Sequence, residues 1–217
     1  MATFDEVKQH DRRNIRKALG GSVFVKPWEE GDEEITSIWT GEPGGLVIPA
    51  GYQDVGLLRK SDAVQFSRDI DSSDVESWGY GEPTRRDITK RTTTMSFVMQ
   101  ESKRLTLELY NDTDYSGVTA DTNGNVVLDD PALPRGREWR AFTLAKDGDG
   151  ADAVYFMRAL PNCQVTDMGE LTWGEEDEIA YEVTLTGFND PAWGTSVREI
   201  WGGPGLDAAD LGFGTTP

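Results

Sequence analysis

Histidine and cysteine, the side chains that most often carry catalysis or bind transition metals, are almost missing from this sequence. His10 and Cys163 are single examples among 217 residues. A lone cysteine forms no intramolecular disulfide, which suits a reducing compartment, and Cys163 begins an apolar alternation typical of a packed thiol. His10 lies in a basic segment with no nucleophile motif around it. These absences favour a protein that is not an enzyme and takes no cofactor or metal.

Long hydrophobic runs are also missing. The first residues, MATFDEVKQHDRRN, lack the apolar stretch of a secretory signal peptide, and no later run is long enough to span a bilayer. We therefore expect synthesis in a cytoplasm and no membrane partner. The Walker, GxGxxG, HExxH and CxxC motifs are absent as well, which argues against the enzyme classes that use them.

Two acidic stretches imitate calcium loops without completing one. DTNGNVVLDDPA has Val126 where such a loop needs glycine and Ala132 where it needs a bidentate glutamate. The second, DGDGADAVYFMR, ends at Arg158. Turns are the better interpretation of both. A hydrolase with two carboxylates stays open, since an acidic β-protein offers many such pairs.

Positive charge is scarce, with 39 acidic against 21 basic residues and a net charge of −18. From residue 159 onward Arg198 is the one base against eleven acids. Such acidity predicts solubility and repulsion of nucleic acid. One stretch, RRDITKR at 85–91, opposes this trend with four positive charges in seven residues.

This basic cluster follows an acidic loop, so both belong to one strand–loop–strand excursion over residues 70–91. It is open to three interpretations: a nucleic-acid patch, a loop whose charges compensate each other, and a contact in which the acidic limb of one copy meets the basic limb of the next. We favour the contact between subunits. Its candidate residues are Asp71, Asp74, Glu76, Trp78, Glu82, Arg85, Arg86, Lys90 and Arg91.

Hydrophobic alternation through the middle of the chain predicts a mainly β fold. Strands are expected at DAVQFSRDI and RRDITKRTTTMSFVMQ, a polar loop between them at 71–84, and a hairpin across DGDG. Short helices are expected at ESKRLTLELYND, although its Leu105, Leu107 and Leu109 also alternate as in a strand, and near the N-terminus at TFDEVKQHDRRNIRKALGG. We predict an antiparallel β-sandwich or partly open barrel with one flanking helix. Residues 1–53 are expected to form a helix and an extended arm, 54–187 the core, and 188–217 a Gly/Pro-rich arm.

The seven tryptophans divide by their surroundings. Trp39, Trp139 and Trp173 lie in strand-like segments, which favours the core. The C-terminal arm has isolated aromatic residues that predict anchoring to another surface, namely Trp193, Trp201 and Phe213.

The stretch DVGLLRKSDAVQFSRDIDSSDVESWGYGEPTRRDITKRTTTMSFVMQESKRLTLELYND resembles the core of major tail tube proteins of long-tailed, non-contractile bacteriophages, in particular those that infect actinobacteria. Later, EIAYEVTLTGFND resembles the last core strand of that family. The resemblance covers residues 54–190. It implies a structural virion protein, made in the host bacterial cytoplasm, whose hexameric rings stack into a tube that conducts double-stranded DNA. Its implied partners are further copies of itself, the tape-measure protein, and the tail terminator and distal tail proteins.

An acidic channel would repel phosphates, so that DNA passes without binding. Two segments, 162–173 and 178–187, alternate between an apolar and a polar face and are our candidates for the channel wall. The residues of that polar face are Glu170, Glu178, Glu182, Thr166, Thr172, Thr184 and Thr186. The alternatives are an acidic, Trp-rich carbohydrate-binding module, and another tail component such as a terminator or a contractile-tail tube protein.

Overall fold

The computed structural model describes residues 3–8, 10–42, 45–133 and 136–214. Eight antiparallel strands form one curved sheet, which does not close on itself within these residues. They are β1 (Gly20–Pro27), β2 (Gln53–Asp54), β3 (Val64–Val75), β4 (Arg85–Met99), β5 (Glu138–Asp147), β6 (Val154–Met168), β7 (Tyr181–Phe188) and β8 (Arg198–Gly202). The order is β2-β1-β5-β6-β7-β4-β3, and β8 also pairs with β6. The predicted fold class, a mainly β sandwich or open barrel, is confirmed.

Strand β6 carries two neighbours in succession. Its first half, Tyr155 to Ala159, pairs with β8, and its second half, Asn162 to Met168, pairs with β7. Strand β5 pairs along β6 from Val154 to Gln164. Strand β5 pairs with one edge of β6. The opposite edge is therefore shared by β8 and β7.

Two helices accompany the sheet. Helix α2 (Arg104–Tyr110) buries Leu105 and Leu109, which confirms the predicted short helix although its leucines also alternate. Helix α1 (Phe4–Val7) is one turn long, much shorter than the predicted N-terminal helix. A 3-10 turn follows, in which Asp11 accepts a hydrogen bond from the Arg13 backbone at 2.9 Å. This segment has too few apolar residues to bury a helix face, so the chain continues extended into β1. No helix among the described residues is long and apolar enough to cross a membrane.

The first hydrophobic core fills the inside of the curved sheet and is closed at one end by α2. Met95, Phe97 and Met99 lie on its inner face, as the alternation of β4 predicts. Cys163 is fully buried there and its thiol lies 3.3 Å from the Trp139 carbonyl oxygen, which confirms a packed thiol. Burial raises the pKa of Cys163, so the thiol stays protonated.

A second core covers the outer face of β1, β5 and β6. Residues 28–42 and 45–52 and the chain after β7 fold over this face. The core members are Ile35, Ile38, Phe142, Leu144, Met157, Ala159 and Trp193. The N-terminal segment therefore supplies both a sheet strand, β1, and part of this core. Its apolar pieces, SVFV and ITSIW, are too short to show a clear period.

Strands β3 and β4 continue beyond the body as a two-stranded ribbon. Strand β7 pairs with β4 from Thr93 to Met99, whereas β3 pairs with β4 as far as Val75 and Arg85. The predicted loop at 71–84 is thus reduced to 76–84. Alternation could not reveal this extension, because a ribbon that stands in solvent has no apolar face. A β-bulge lies between Asp71 and Ser72.

Candidate assembly surfaces

A polar face on β4, β6 and β7 lies opposite the first core. In β7, Val183 and Leu185 are fully buried while the side chains between them point outward. The hydroxyl oxygens of Thr166 and Thr186 lie 2.7 Å apart, and those of Ser96 and Thr184 lie 3.0 Å apart. Three predicted wall residues, Thr166, Thr184 and Thr186, are therefore brought together by the sheet.

Glu182 belongs to the same face. It is exposed on β7 opposite Val98, and a groove beside it contains Arg59, Asp62 and Gln65. Asp167, which the sequence analysis did not select, is also exposed and pairs in register with Thr184. The β-bulge between Val165 and Asp167 shifts the alternation there, which is why counting along the sequence missed it.

The other predicted wall residues lie in the connection 169–180. Glu170, Thr172 and Glu178 are exposed but belong to neither β6 nor β7. The Glu178 carboxylate accepts hydrogen bonds from Gln100 at 2.9 Å and Arg59 at 3.1 Å, and these donors lower its pKa. Trp173, predicted to be in the core, is 78% exposed because β6 ends at Met168 and leaves this tryptophan outside the sheet.

The acidic and basic limbs of the ribbon pair with each other within one chain. Arg86 donates two hydrogen bonds to the Asp74 carboxylate, at 2.7 and 2.8 Å, and this contact lowers the pKa of Asp74. Asp71 stands opposite Lys90 in the register. Arg85 donates to Asp87, two residues along its own strand, at 2.9 Å. Such exposed pairs contribute little to the free energy of folding. They therefore give no evidence for or against a contact between the ribbon and another copy.

The end of the ribbon presents two aromatic side chains. Trp78 is fully exposed and Tyr80 is largely exposed. The turn that carries them is closed by backbone hydrogen bonds from Tyr80 to Ser77 (3.2 Å) and from Thr84 to Val75 (2.9 Å). Glu76 and Glu82 lie in the same turn. We call residues 76–84 the hairpin tip.

The C-terminal aromatic residues have different surroundings. Trp193 is buried in the second core, so it anchors this segment to its own chain. Trp201 on β8 stacks on Phe156 with ring centroids 5.2 Å apart, and it stays partly exposed. Phe213 is largely exposed. Of the predicted anchors, Trp201 and Phe213 retain surface for a contact with another molecule.

A buried charge cluster ties the two ends of the chain to β5. Arg140 donates to the Asp190 carboxylate at 3.0 Å, and its Nε lies 3.2 Å from an oxygen of Asp32. Asp190 also accepts from the Trp28 indole at 2.8 Å and from the Trp193 backbone at 3.0 Å. Burial alone raises the pKa of Asp190, but these donors and the Arg140 charge outweigh it and lower the pKa. The sequence analysis missed this cluster, because its members lie far apart along the chain.

A groove of about 770 Å³ follows the opening of the curved sheet. The start of β1 and the residues before it form one side, and the start of β3 forms the other. Its apolar lining includes Leu19, Phe66, Ala145, Phe156 and Trp201. We call this the seam groove.

The calcium-like stretch at 121–132 is a turn. Asp121 accepts hydrogen bonds from the backbones of Asn123 and Asn125, both at 2.8 Å, and from the Asn125 side chain at 2.8 Å. These bonds lower the pKa of Asp121 and occupy its oxygens. Within the described ranges, no three carboxylate, histidine or cysteine side chains are grouped so that they could hold a metal ion.

The family model described as "Phage tail tube protein" matches residues 10–195. The chain belongs to the phage tail tube protein family. This family is structural and not enzymatic, and its members are virion components that assemble into a tail tube.

The other comparisons with this tail tube protein identify no further function. No curated protein matches the chain. One similar solved chain comes from "Cryo-EM structure of the anti-feeding prophage (AFP) baseplate, 6-fold symmetrised", at 12% sequence identity and a TM-score of 0.43, over 88% of this chain and 98% of that chain. A likeness at that TM-score carries no argument.

Proposed function

We propose that six copies of this tail tube protein join into a ring, and that rings stack into a tube through which double-stranded DNA passes. The observation that carries the proposal is the polar face of β4, β6 and β7, which is backed directly by the first core. The wall of a tube needs one face that is exposed to solvent and an opposite face that is packed against a hydrophobic core. The hydroxyl and carboxylate groups of this face lie on strands whose opposite side is packed in the core, since Val183 and Leu185 of β7 are fully buried.

The proposed wall consists of Thr166, Thr184 and Thr186 with Glu182 and Asp167. Neutral hydroxyls give DNA few strong contacts, and the two carboxylates repel phosphates. A ring of six chains carries a formal charge of −108, since 6 × 18 is 108. Because such a wall releases no counterions from DNA, the molecule slides without being held. Glu178 contributes less, because Arg59 compensates its charge.

The ribbon and the chain ends provide the remaining contacts of the proposed tube. The ribbon extends from the body and reaches a neighbouring copy, and Trp201 and Phe213 supply exposed apolar surface near the C-terminus. The tape-measure protein fills the channel before ejection, and the tail terminator and distal tail proteins bind the two ends. The protein is made in the host cytoplasm and acts in the virion.

Cryo-electron microscopy of the protein, polymerised at high concentration, tests this proposal. We expect six-fold rings, stacked with a regular rotation, in which Thr184 and Glu182 face the channel. Assemblies of another symmetry, or rings with this face on the outside, would contradict it.

A charge change on the wall provides a second test. Glu182→Lys replaces six negative by six positive charges per ring, so the tubes are expected to bind DNA in a salt-dependent manner, with affinity lost between low and physiological salt. Asp129→Lys is the matched control, since Asp129 is exposed in the irregular segment between α2 and β5. Filter binding at several salt concentrations measures the difference. Equal DNA binding by both variants would show that Glu182 does not line the channel.

A further inference from the structure

The seam groove is an apolar site with a basic rim. Leu19 is largely exposed beside it, and Phe156 and Trp201 form an aromatic floor. Arg16 and Lys60 lie on the rim, while the other charged residues of the lining, Arg59, Arg158 and Glu199, are already engaged in ion pairs of the same chain. The Nε atom of Arg16 is buried and has no hydrogen-bond partner among the described residues, and Lys60 takes part in no ion pair there. An acidic segment that also carries apolar side chains would pack against the aromatic floor and pair with the basic side chains of the rim.

The hairpin tip has these properties. Trp78 and Tyr80 are exposed aromatic side chains of the type that dominates binding energy at protein interfaces. Glu76 and Glu82 flank them and have no ion pair within the described part of the chain. Since hydrogen bonds close the turn, it loses little conformational freedom on binding.

The tip cannot fill the groove of its own chain. Residues 85–92 of β4 pair with β3 alone, beyond the reach of β7. At ~3.3 Å per residue this ribbon carries the tip about 26 Å from the body. Trp78 is fully exposed and Tyr80 is 72% exposed, so neither aromatic side chain is packed into a groove of its own chain. A groove of about 770 Å³ lies within the range of roughly 300–1,000 Å³ that accommodates sizeable ligands, so two aromatic side chains fit.

We infer that the hairpin tip of one copy inserts Trp78 and Tyr80 into the seam groove of a second copy, with Glu76 and Glu82 against the basic rim. This inference rests on the proposed self-assembly. It identifies the hairpin tip and the seam groove as the two surfaces of the contact. Each copy offers one tip and one groove at different places on its surface, so the contact can be repeated head-to-tail from copy to copy, and such contacts propagate into rings or helical stacks.

Cross-linking between separate chains tests the inference directly. One variant carries Tyr80→Cys and the other Lys60→Cys, and the native Cys163 does not interfere because it is fully buried. After mixing, assembly and oxidation, we expect a disulfide-linked dimer. The matched control pairs Tyr80→Cys with Thr172→Cys, an exposed position in the connection 169–180. Absence of the Lys60 cross-link in assembled material, or an equal yield in the control, would overturn the inference.

Assembly of substituted chains gives an independent measure. Trp78→Ser with Tyr80→Ser is expected to raise the concentration for half-assembly at least about tenfold, as the loss of interface hot spots does. Trp173→Ser, which removes another exposed tryptophan, is the control and should assemble normally. On the groove side, Gly20→Trp should block insertion whereas Gly20→Ala should not, since a Cβ at Gly20 meets no atom within 4 Å.

The outcomes separate this inference from the proposed function. Six-fold tubes that form normally without Trp78 and Tyr80 would overturn the inference and leave the tube standing. A Lys60 cross-link within an assembly of another symmetry would support the inference and contradict the six-fold ring.

Discussion

Two arginine–aspartate pairs in this chain have similar geometry and opposite surroundings. Arg140 and Asp190 lie 3.0 Å apart with side chains 1% and 0% exposed, whereas Arg86 and Asp74 lie 2.7 Å apart with side chains 66% and 31% exposed. In the buried pair, loss of one partner leaves a charge without water or counter-charge. In the exposed pair, water and salt replace the lost partner. The body therefore depends on its ion pair, while the ribbon does not.

The largest effect is expected from Arg140→Ala. Because it leaves Asp190 charged and buried, the free energy of unfolding should fall by about 3–5 kcal/mol. Urea denaturation of the monomer measures this loss. The double variant Arg140→Met with Asp190→Leu is the control, since replacing both charges by apolar groups often restores most of the stability. A loss as small as that of an exposed pair would contradict the distinction between the two regions.

The next largest difference between the two regions is expected in the pH dependence of stability. The folded-state pKa of Asp190 is lowered, so its contribution is complete above the unfolded-state pKa, near 3.9, and is lost as the pH falls through the folded-state value. Wild-type protein should therefore lose stability below about pH 4, and Asp190→Asn should show less of this dependence. Thermal melts between neutral pH and pH 3 make the comparison. Identical pH profiles would show that Asp190 is not the group responsible.

The smallest effect on folding is expected in the ribbon. Arg86→Ala should leave the unfolding curve of the monomer unchanged, because Arg86 is exposed. Reversal of Arg85, Arg86, Lys90 and Arg91 to Glu should likewise leave the monomer folded, because these side chains are exposed, but weaken the stacking of rings, because the acidic limb of one copy would then meet an acidic limb on the next.

The swap Asp74→Arg with Arg86→Asp distinguishes pairing within a chain from pairing between chains. It restores the internal pair with inverted polarity. If tubes form normally with the swap, the two charges serve only to hold the ribbon. If tubes fail, the polarity of the ribbon matters to a neighbouring copy.

Local patterns in the sequence predicted the elements that bury one face. The alternation of Met95, Phe97 and Met99 corresponds to burial in the first core. The cluster around Arg140 could not be predicted in this way. Arg140 lies on the outer face of β5, and nothing near it in the sequence indicates that Asp190, fifty residues later, and Trp28 cover that face.

The candidate surfaces were predicted only in part, for similar reasons. Thr166, Thr184 and Thr186 were placed together by alternation, but a bulge hid Asp167 and the end of β6 left Trp173 outside the sheet. The β4 limb of the ribbon was predicted as a strand, but the extension of β3 over residues 71–75 was missed, because both faces of the ribbon are polar. Periodicity reports the boundary between core and solvent, and a two-stranded extension in solvent has no such boundary.

The double pairing of β6 has a consequence for aggregation. Strand β8 satisfies the backbone groups of β6 from Tyr155 to Ala159, on the edge that β7 leaves free. A chain cut before Arg198 would present a row of unpaired amides and carbonyls beside the apolar side chains of Met157 and Phe156. Such an edge is a template for the wrong strand of another molecule. The C-terminal strand β8 thus protects this edge of β6 from pairing with a strand of another molecule.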